Sequence, residues 1–257
     1  MKTLRSAFFF FALPVALVLI WWAATISSTN FFVPKPGQLV ETFAQVWVGD
    51  RFFSDVAPSL GRLFLGLLIA IVIGIVLGLL VGSSKILRTI LEPVLEFLRA
   101  LPPPVLVPVL MLILGIDDNM KVTVIAFGCV WPVLLNAIEG VRSVDTVLAE
   151  TTLSFGIRGL SRWRFLILPG AAPRIVTGVR QAVSIGLILM VISEMFASSS
   201  GLGFVIVQFQ RSFAVPEMWS GIALLGLIGL ALAFVFQFVE RRVLAWYYGI
   251  REVENAG

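Results

Sequence analysis

The chain has 257 residues, of which 59% are hydrophobic and 13% are charged, whereas soluble domains carry roughly half apolar and a quarter charged residues. This composition, with a mean hydropathy of +1.01, is typical of a membrane protein. The lack of histidine and the single cysteine, Cys129, exclude a disulfide framework, a Cys/His metal site and histidine acid–base catalysis within one chain. The net charge of +4 bears on membrane orientation and does not indicate a nucleic-acid partner.

Six stretches are apolar enough to cross a bilayer as helices. Crossing about 30 Å of hydrocarbon takes about 20 helical residues, because each residue rises 1.5 Å and the backbone must satisfy its own hydrogen bonds. Three stretches meet that length without a charge, namely 7–26, 63–82 and 219–239. Three others are shorter or contain proline or one ionisable residue, namely 101–116, 122–138 and 181–196. We therefore predict an all-α membrane protein with six transmembrane helices.

The first apolar stretch has two interpretations. Lys2 and Arg5 precede it and small residues follow at 23–25, which also describes a secretory signal peptide. The length of the run and its tryptophans at 21–22, which suit a membrane interface, favour a retained span.

A short amphipathic helix is predicted after this first span. Pro36 suits the first turn of a helix, because its missing N–H has no intrahelical partner there. The apolar positions that follow it are Leu39, Val40, Phe43, Val46 and Trp47. We expect this helix to lie along the membrane surface.

Orientation follows from the basic residues beside the spans, because cytoplasmic flanks are enriched in lysine and arginine. With the N-terminus in the cytoplasm, the inner set is Lys2, Arg5, Lys85, Arg88, Arg142, Arg158, Arg162, Arg164, Arg174, Arg241, Arg242 and Arg251. The outer set is then Lys35, Arg51, Arg62, Lys121 and Arg211. Because the inner set is more than twice as large, we predict that both termini and the loop 141–169 are cytoplasmic.

The most polar passage of the chain is "AETTLSFGIRGLSRWRFLILPGAAP", residues 149–173. Apolar positions recur at helical spacing from Val144 to Phe155, which predicts a short helix. Gly156 follows as a terminator in the left-handed conformation, which glycine adopts without a steric penalty.

A second short helix is predicted after this turn. Gly159 breaks the chain again, Ser161 is placed to cap the helix, and Pro169 is placed to end it before the next span. We expect the apolar residues of both helices to face the bundle, while Glu150 and the arginines meet a partner. The pattern alone leaves open a second interpretation, in which the arginines bind lipid headgroups.

The passage resembles the signature loop of the membrane subunits of bacterial ABC importers. That signature reads Glu-Ala-Ala, three residues, glycine, nine residues, isoleucine, one residue and Leu-Pro. Every spacing is reproduced here, with two threonines for the alanines and leucine for isoleucine. The resemblance implies a coupling helix that docks in a groove of an ATPase, with the acidic residue pairing to the ATPase, the glycine reversing the chain and Leu-Pro orienting the next span. The residues concerned are Glu150, Thr151, Thr152, Gly156, Leu166, Leu168 and Pro169.

The resemblance extends over most of the chain. The segments "SLGRLFLGLLIAIVIGIVLGLLVG", "FLRALPPPVLVPVLMLILGI", "WPVLLNAIEGVRSVD" and "SEMFASSSGLGFVI" are similar to permeases for nitrate, sulfonates, taurine and related small solutes. This implies the type I ABC importer permease fold in the bacterial inner membrane. The implied partners are a second copy of the chain, a cytoplasmic ATPase dimer that binds ATP and Mg, and a periplasmic or lipid-anchored solute-binding protein. The chain lacks the GxxxxGK[ST] phosphate loop, so we expect it to hold no cofactor and to hydrolyse no ATP itself.

Three parts of the chain are expected to differ in role. Residues 1–57 would form the first span and a periplasmic amphipathic segment. Residues 58–242 would form the core permease domain, which includes the coupling loop 141–169. Residues 243–257 would form a cytoplasmic tail.

Four residues of the fifth predicted span are candidates for the solute path, because ionisable and hydroxyl groups inside a bilayer usually face a bundle interior or an aqueous cavity. They are Arg180, Ser184, Ser193 and Glu194. Each has a structural alternative: interhelical pairing or snorkelling for Arg180, hydrogen bonding to the helix backbone for the serines, and hydrogen bonding in a turn for Glu194.

A competing function is a secondary transporter or channel with a cytoplasmic regulatory loop. Such a transporter needs a coupling-ion site, commonly acidic residues at the membrane midplane or broken helices in matched halves. The sequence has neither an acidic cluster there nor a clear internal repeat. Whether the solute is an anion or a neutral molecule is left open by net charge alone.

Overall fold

The computed structural model describes residues 2–28, 30–196 and 198–249, with side chains from residue 12 onward. Its main helices are α1 (Lys2–Thr25), α2 (Pro36–Trp47), α3 (Ala57–Ser83), α4 (Lys85–Ala100), α5 (Leu106–Leu114), α6 (Asp118–Arg142), α7 (Thr146–Ser154), α8 (Gly159–Arg162), α9 (Leu168–Phe196), α10 (Leu202–Arg211) and α11 (Val215–Val243). The described residues form no β-strand. The predicted all-α class is confirmed.

Three long helices, α3, α6 and α9, pack side by side and form the core. Leu63 of α3, Ile125 of α6 and Met190 of α9 are fully buried in one apolar cluster. The thiol of Cys129 is buried in the same cluster and donates a hydrogen bond to the carbonyl oxygen of Ala182, 3.3 Å away. The single cysteine is therefore a packing residue.

Glycines allow α3 to approach α6 closely. A Cβ atom at Gly74 would lie 2.8 Å from Cβ of Val133, and one at Gly78 would lie 2.5 Å from Cβ of Ala137. Both distances are shorter than van der Waals contact, so a larger residue would push the helices apart. The two glycines are four residues apart and lie on one face of α3, a spacing that favours close helix packing in membranes.

Four continuous helices are long and apolar enough to cross a membrane, namely Phe52–Ser83, Asp118–Arg142, Gly159–Phe196 and Val215–Val243. They contain the predicted spans 63–82, 122–138, 181–196 and 219–239. The helix that contains the predicted span 181–196 begins at Gly159. Arg180 therefore lies inside this helix and not at its edge.

The predicted span 101–116 is not one continuous helix. The helix α5 has nine residues, about 13 Å, which is too short to cross the bilayer alone. Together with α4 it forms a helix pair bent by 71°, which is either a broken span or a re-entrant loop. The cause is the run Pro102, Pro103 and Pro104, because proline donates no backbone hydrogen bond and disfavours helix in the preceding residue.

The first predicted span, 7–26, falls on α1, whose residues 12–25 form an apolar helix. The side chains of residues 2–11 lie outside the described residues. The total of six spans and the cytoplasmic location of the termini therefore stay predictions, as does the tail, which lies mostly beyond residue 249.

The predicted amphipathic helix after the first span is confirmed as α2, with Pro36 as its first residue. It packs against the bundle through Trp47, which is buried and donates through Nε1 to Oγ of Ser220 on α11, 2.9 Å away. The Trp47 ring also meets the edge of Phe209 on α10. One face of α2 therefore packs against the bundle.

Substituting Gly78 tests the close contact of α3 with α6. We expect Gly78→Val to lower the unfolding temperature in detergent by roughly 5–10 °C, because overpacking costs about 1–3 kcal/mol. The matched control is Gly226→Val in α11, where an added Cβ would meet nothing within 4 Å. Intrinsic tryptophan fluorescence during heating measures both variants, and equal unfolding temperatures would contradict the packing described.

Candidate functional site

The helix α7 has well-defined ends. The carboxylate of Asp145 accepts a hydrogen bond from the backbone N–H of Leu148, 2.8 Å away, and caps its first turn. At the other end, the N–H of Gly156 donates to the carbonyl of Leu153 and the N–H of Ile157 donates to the carbonyl of Thr152. This pair of bonds is a Schellman turn, which requires a left-handed residue. Gly156 has φ of +75°, so its predicted role as terminator is confirmed.

After this turn, the chain continues directly into the long helix that contains α8 and α9. Gly159 has φ of +57° and is the first residue of α8, so the prediction that Ser161 caps this helix is wrong. Pro169 does not end a helix either, because α8 and α9 form one 38-residue helix. A widened turn over Trp163–Ile167, closed by a hydrogen bond from the N–H of Leu168 to the carbonyl of Trp163, lies just before this proline and joins the two parts.

The apolar side chains of α7 and of the turn after it point away from the bundle. Phe155 is 79% exposed and Leu160 is 83% exposed, and no side chain of α7 is buried. The prediction that the apolar residues of both short helices face the bundle is therefore wrong for α7, whereas Leu166 and Ile167 of the second helix are buried as expected. The half-buried positions are the small residues Ala149 and Thr152, because only small side chains allow α7 to lie close to the ends of the membrane helices.

A cavity of about 380 Å³ lies between this loop and the C-terminal ends of α3 and α6. Gly82, Val141, Ala149 and Trp163 are among the residues that line it. Leu166 is buried beside it, which anchors the start of the long helix.

The seven predicted coupling residues differ in exposure, from exposed positions on α7 to the buried Leu166. Glu150 and Thr151 are exposed on α7, and the Glu150 carboxylate has no partner within the described part of the chain. The hydroxyl of Thr151 donates to the carbonyl of Val147. Leu168 is 40% exposed and Pro169 is half-buried.

Of the candidates for the solute path, Ser193 and Glu194 are fully buried. The hydroxyl of Ser193 donates to the carbonyl of Met190, which is the backbone bonding expected of a buried helical serine. The Glu194 carboxylate accepts hydrogen bonds from Oγ of Ser59, Nη1 of Arg62 and the backbone N–H of Gly203, at 2.7–3.0 Å.

A turn over residues 198–203 wraps around this carboxylate. Gly201 has φ of +118°, and a Cβ there would lie 2.5 Å from Cδ of Glu194. Arg62 also binds the carbonyl and hydroxyl oxygens of Ser200 and the carboxylate of Asp118 on α6, 2.8 Å away. The network therefore ties the N-terminal ends of α3 and α6 and the C-terminal end of α9 to the turn before α10.

Sequence reasoning missed Ser59 and Arg62 as parts of this network. The pattern of basic residues assigns Arg62 only to the outer set that indicates membrane orientation. The available signal was that Arg62 and Glu194 lie near the ends of two adjacent apolar helices that meet on the same side of the membrane, where a buried charge needs a partner of opposite sign.

The other two candidates, Arg180 and Ser184, line a cavity of about 550 Å³ between α9 and α11. The guanidinium of Arg180 donates to the carboxylate of Glu240 on α11, so the interhelical pairing predicted as its structural alternative is present. The hydroxyl of Tyr248 donates to the same carboxylate, 3.2 Å away. Loss of solvent and the negative charge of Glu240 raise the pKa of Tyr248 above its ordinary value.

Comparison with known proteins identifies the family. The sequence profile of the family described as binding-protein-dependent transport system inner membrane component matches residues 70–245. The chain belongs to this family.

Two relatives and a solved structure make this permease assignment more specific. The taurine transport system permease protein TauC of Escherichia coli K12 is 32% identical over 239 residues, which cover 90% of this chain and 86% of that protein. The putative aliphatic sulfonates transport permease protein SsuC of the same organism is 31% identical, with coverages of 91% and 90%. A chain of the inward-facing MetNI methionine ABC transporter has a TM-score of 0.60 at 20% identity, covering 74% of this permease and 93% of that chain. The predicted type I importer permease fold is confirmed.

Removing Arg62 from this permease tests the buried network. We expect Arg62→Met to lower the free energy of unfolding by about 3–5 kcal/mol, because it leaves the buried Glu194 carboxylate without its cationic partner. Adding Glu194→Gln should recover part of the loss. The control is Arg99→Met, which removes the exposed pair with Glu96 and should cost less than about 1 kcal/mol. Equal losses in the two single variants, measured by unfolding in detergent, would contradict this account.

Proposed function

We propose that this permease carries a small sulfonate such as taurine, or a related solute such as nitrate, and that a separate ATPase drives it through α7. Relatives named for taurine and aliphatic sulfonates at about 30% identity support this solute class. The ATPase would bind ATP and Mg, and the permease would change conformation without binding nucleotide.

The observation that carries the proposal is the uncovered apolar surface of α7. Large apolar side chains such as Val147 and Phe155 are exposed at the end of the bundle, and an exposed apolar patch of this kind marks a contact with another protein. The Glu150 carboxylate on the same helix would accept hydrogen bonds from that protein. A lipid-bound loop would instead need its basic residues and its apolar residues on opposite faces.

The mechanical connection supports the same proposal. The helix that begins at Gly159 continues without a break to Phe196, so a displacement of α7 at its inner end would be passed through the bundle as rigid-body movement. The Schellman turn at Gly156 keeps α7 and this long helix in a defined relation.

The proposed assembly follows the importer arrangement. It contains two copies of the permease with six spans and cytoplasmic termini each, an ATPase dimer on the cytoplasmic face, and a periplasmic or lipid-anchored binding protein, in a bacterial inner membrane. Of the four candidates for the solute path, Arg180 and Ser184 line a cavity, whereas Ser193 and Glu194 are enclosed inside the subunit. We therefore place the path along Arg180 and Ser184.

A secondary transporter fits the geometry less well. Its coupling ion would need an accessible acidic group within the membrane. Glu194 and Glu240 are held by Arg62 and Arg180, so neither carboxylate is free to bind a coupling ion.

Substitutions in the coupling loop test the proposed drive. We expect Gly156→Leu and Glu150→Arg each to reduce ATP-driven taurine uptake at least tenfold while the protein remains in the membrane. Leucine at φ of +75° costs about 1–2 kcal/mol and distorts the turn, and arginine reverses the charge offered to the ATPase. Gly61→Leu is the control, since an added Cβ there also meets nothing within 4 Å but the backbone is helical. Uptake at the wild-type level in both loop variants would refute the coupling role.

Thiol labelling tests which side of the membrane the loop occupies. The native Cys129 is buried, so a cysteine introduced at Phe155 should dominate the labelling. We expect an impermeant maleimide to label Phe155→Cys in inside-out vesicles and not in intact cells, and a bound ATPase to slow the reaction. Labelling in intact cells would overturn the orientation.

A further inference from the structure

The cavity between α9 and α11 has a polar wall and an apolar wall. Its polar side chains are those of Arg180, Ser184 and Gln237, and the remaining lining is apolar, including Leu232 and Phe236. Among the described residues, Arg180 is the one charged group that lines it. A volume of about 550 Å³ accommodates a small organic solute.

Two of the three polar groups have no partner. Within the described residues, neither the hydroxyl of Ser184 nor the side-chain amide of Gln237 makes a hydrogen bond. The guanidinium of Arg180 bonds to Glu240 through Nη2 and has further N–H donors, and it lies over the ring of Phe236, which also lines the cavity. The cavity therefore presents several donors that can converge on one acceptor group.

The position of Arg180 along α9 places it near one boundary of the membrane. It lies sixteen residues before Phe196, the last residue of the helix, which corresponds to about 24 Å in a hydrocarbon layer of about 30 Å. A long arginine side chain about 6 Å from the boundary can place its charged group at the interface, and the Arg180 side chain is 58% exposed in the single chain. Its guanidinium is therefore within reach of water and of a solute that enters the cavity.

The ion pair stands between two cavities. Arg180 lines the first one, and Glu240 lines a second one of about 550 Å³ nearer the tail, together with Arg174, Thr177 and Tyr248. The Glu240 side chain is only 9% exposed. The cation of the pair thus faces the membrane cavity, and the anion faces the cytoplasmic end.

We propose that the Arg180–Glu240 pair is an anion-exchange gate, in which the anionic group of the solute displaces Glu240 from Arg180. This rests on the proposed function, since it assigns a recognition site to the same solute path. A sulfonate matches the site because its oxygens can accept from the guanidinium, the Ser184 hydroxyl and the Gln237 amide together. After displacement, Glu240 remains hydrogen-bonded to Tyr248, and the boundary between the two cavities opens.

The pair also explains how the path can hold an anion without trapping it. Glu240 competes for the same guanidinium, so an anion that leaves toward the cytoplasm is replaced at once by an internal carboxylate. A permanently unpaired arginine would bind the solute more tightly and release it more slowly.

Charged thiol reagents test the gate without depending on transport. The probe position is Ser184→Cys, one helical turn from Arg180, in the detergent-solubilised permease–ATPase complex. Its reaction rates with the anionic sulfonatoethyl and the cationic trimethylammonioethyl methanethiosulfonates are each divided by the rate with a free thiol. We expect this ratio to favour the anionic reagent about three- to tenfold, the effect of one unit charge at roughly 6 Å in a hydrated site.

Second-site variants identify the charge responsible. Arg180→Gln should abolish the preference, Arg180→Lys should keep it, and Glu240→Gln should increase it about threefold or more, because it removes the competing carboxylate. Val72→Cys, an exposed position on α3 away from the cavity, should show no preference in any background. Size-exclusion profiles and unfolding temperatures confirm that each variant is folded.

The outcomes separate the two proposals. A preference that survives Arg180→Gln, an unchanged ratio in Glu240→Gln, or a Ser184→Cys thiol that reacts with neither reagent because lipid or protein covers it would each overturn the gate. Taurine uptake by the wild-type complex is measured separately. Absence of uptake with an intact charge preference would refute the solute assignment and leave the gate standing.

Discussion

The close contact of α3, α6 and α9 is the constraint on which the rest of the structure depends. Gly74 and Gly78 let α3 lie directly against α6, and α9 completes the core. In a membrane, apolar surface alone does not bring helices together, since lipid is equally apolar, so intimate packing and a few polar contacts must do it. The Arg62–Glu194 network supplies the polar contact at the outer end of the same three helices.

Both proposed functional regions depend on the third helix of this core. The long helix that starts at Gly159 follows α7 in the chain, carries Arg180 about 24 Å from its C-terminal end and presents Glu194 to the buried network. The hydrogen bonds of Glu194 hold the C-terminal end of this helix against α3 and the turn before α10. The Arg180–Glu240 pair connects the same helix to α11.

The sequence predicted the membrane class, the long spans and the turn at Gly156. These features depend on local composition and spacing. Predictions from the sequence failed where contacts with other parts of the structure decide the outcome. The helix continues through Pro169 because a widened turn precedes this proline. The apolar residues of α7 point outward because small residues occupy the face of α7 that lies toward the bundle. Arg62 and Glu240 were missed as partners because pairing across helices depends on tertiary contact rather than on spacing along one chain.

The two glycines that flank Ile157 and Arg158 turn the chain between α7 and the long helix with their backbone alone. Added side chains at Gly156 or Gly159 would touch nothing, and the outward residues of α7 make no buried contact within the subunit. The identity of those outward residues can therefore diverge without loss of folding stability. Under the coupling role proposed above for α7, a permease of this kind would adapt to a different ATPase by changing a few positions on one short helix, while the membrane-spanning part and its solute preference are inherited unchanged.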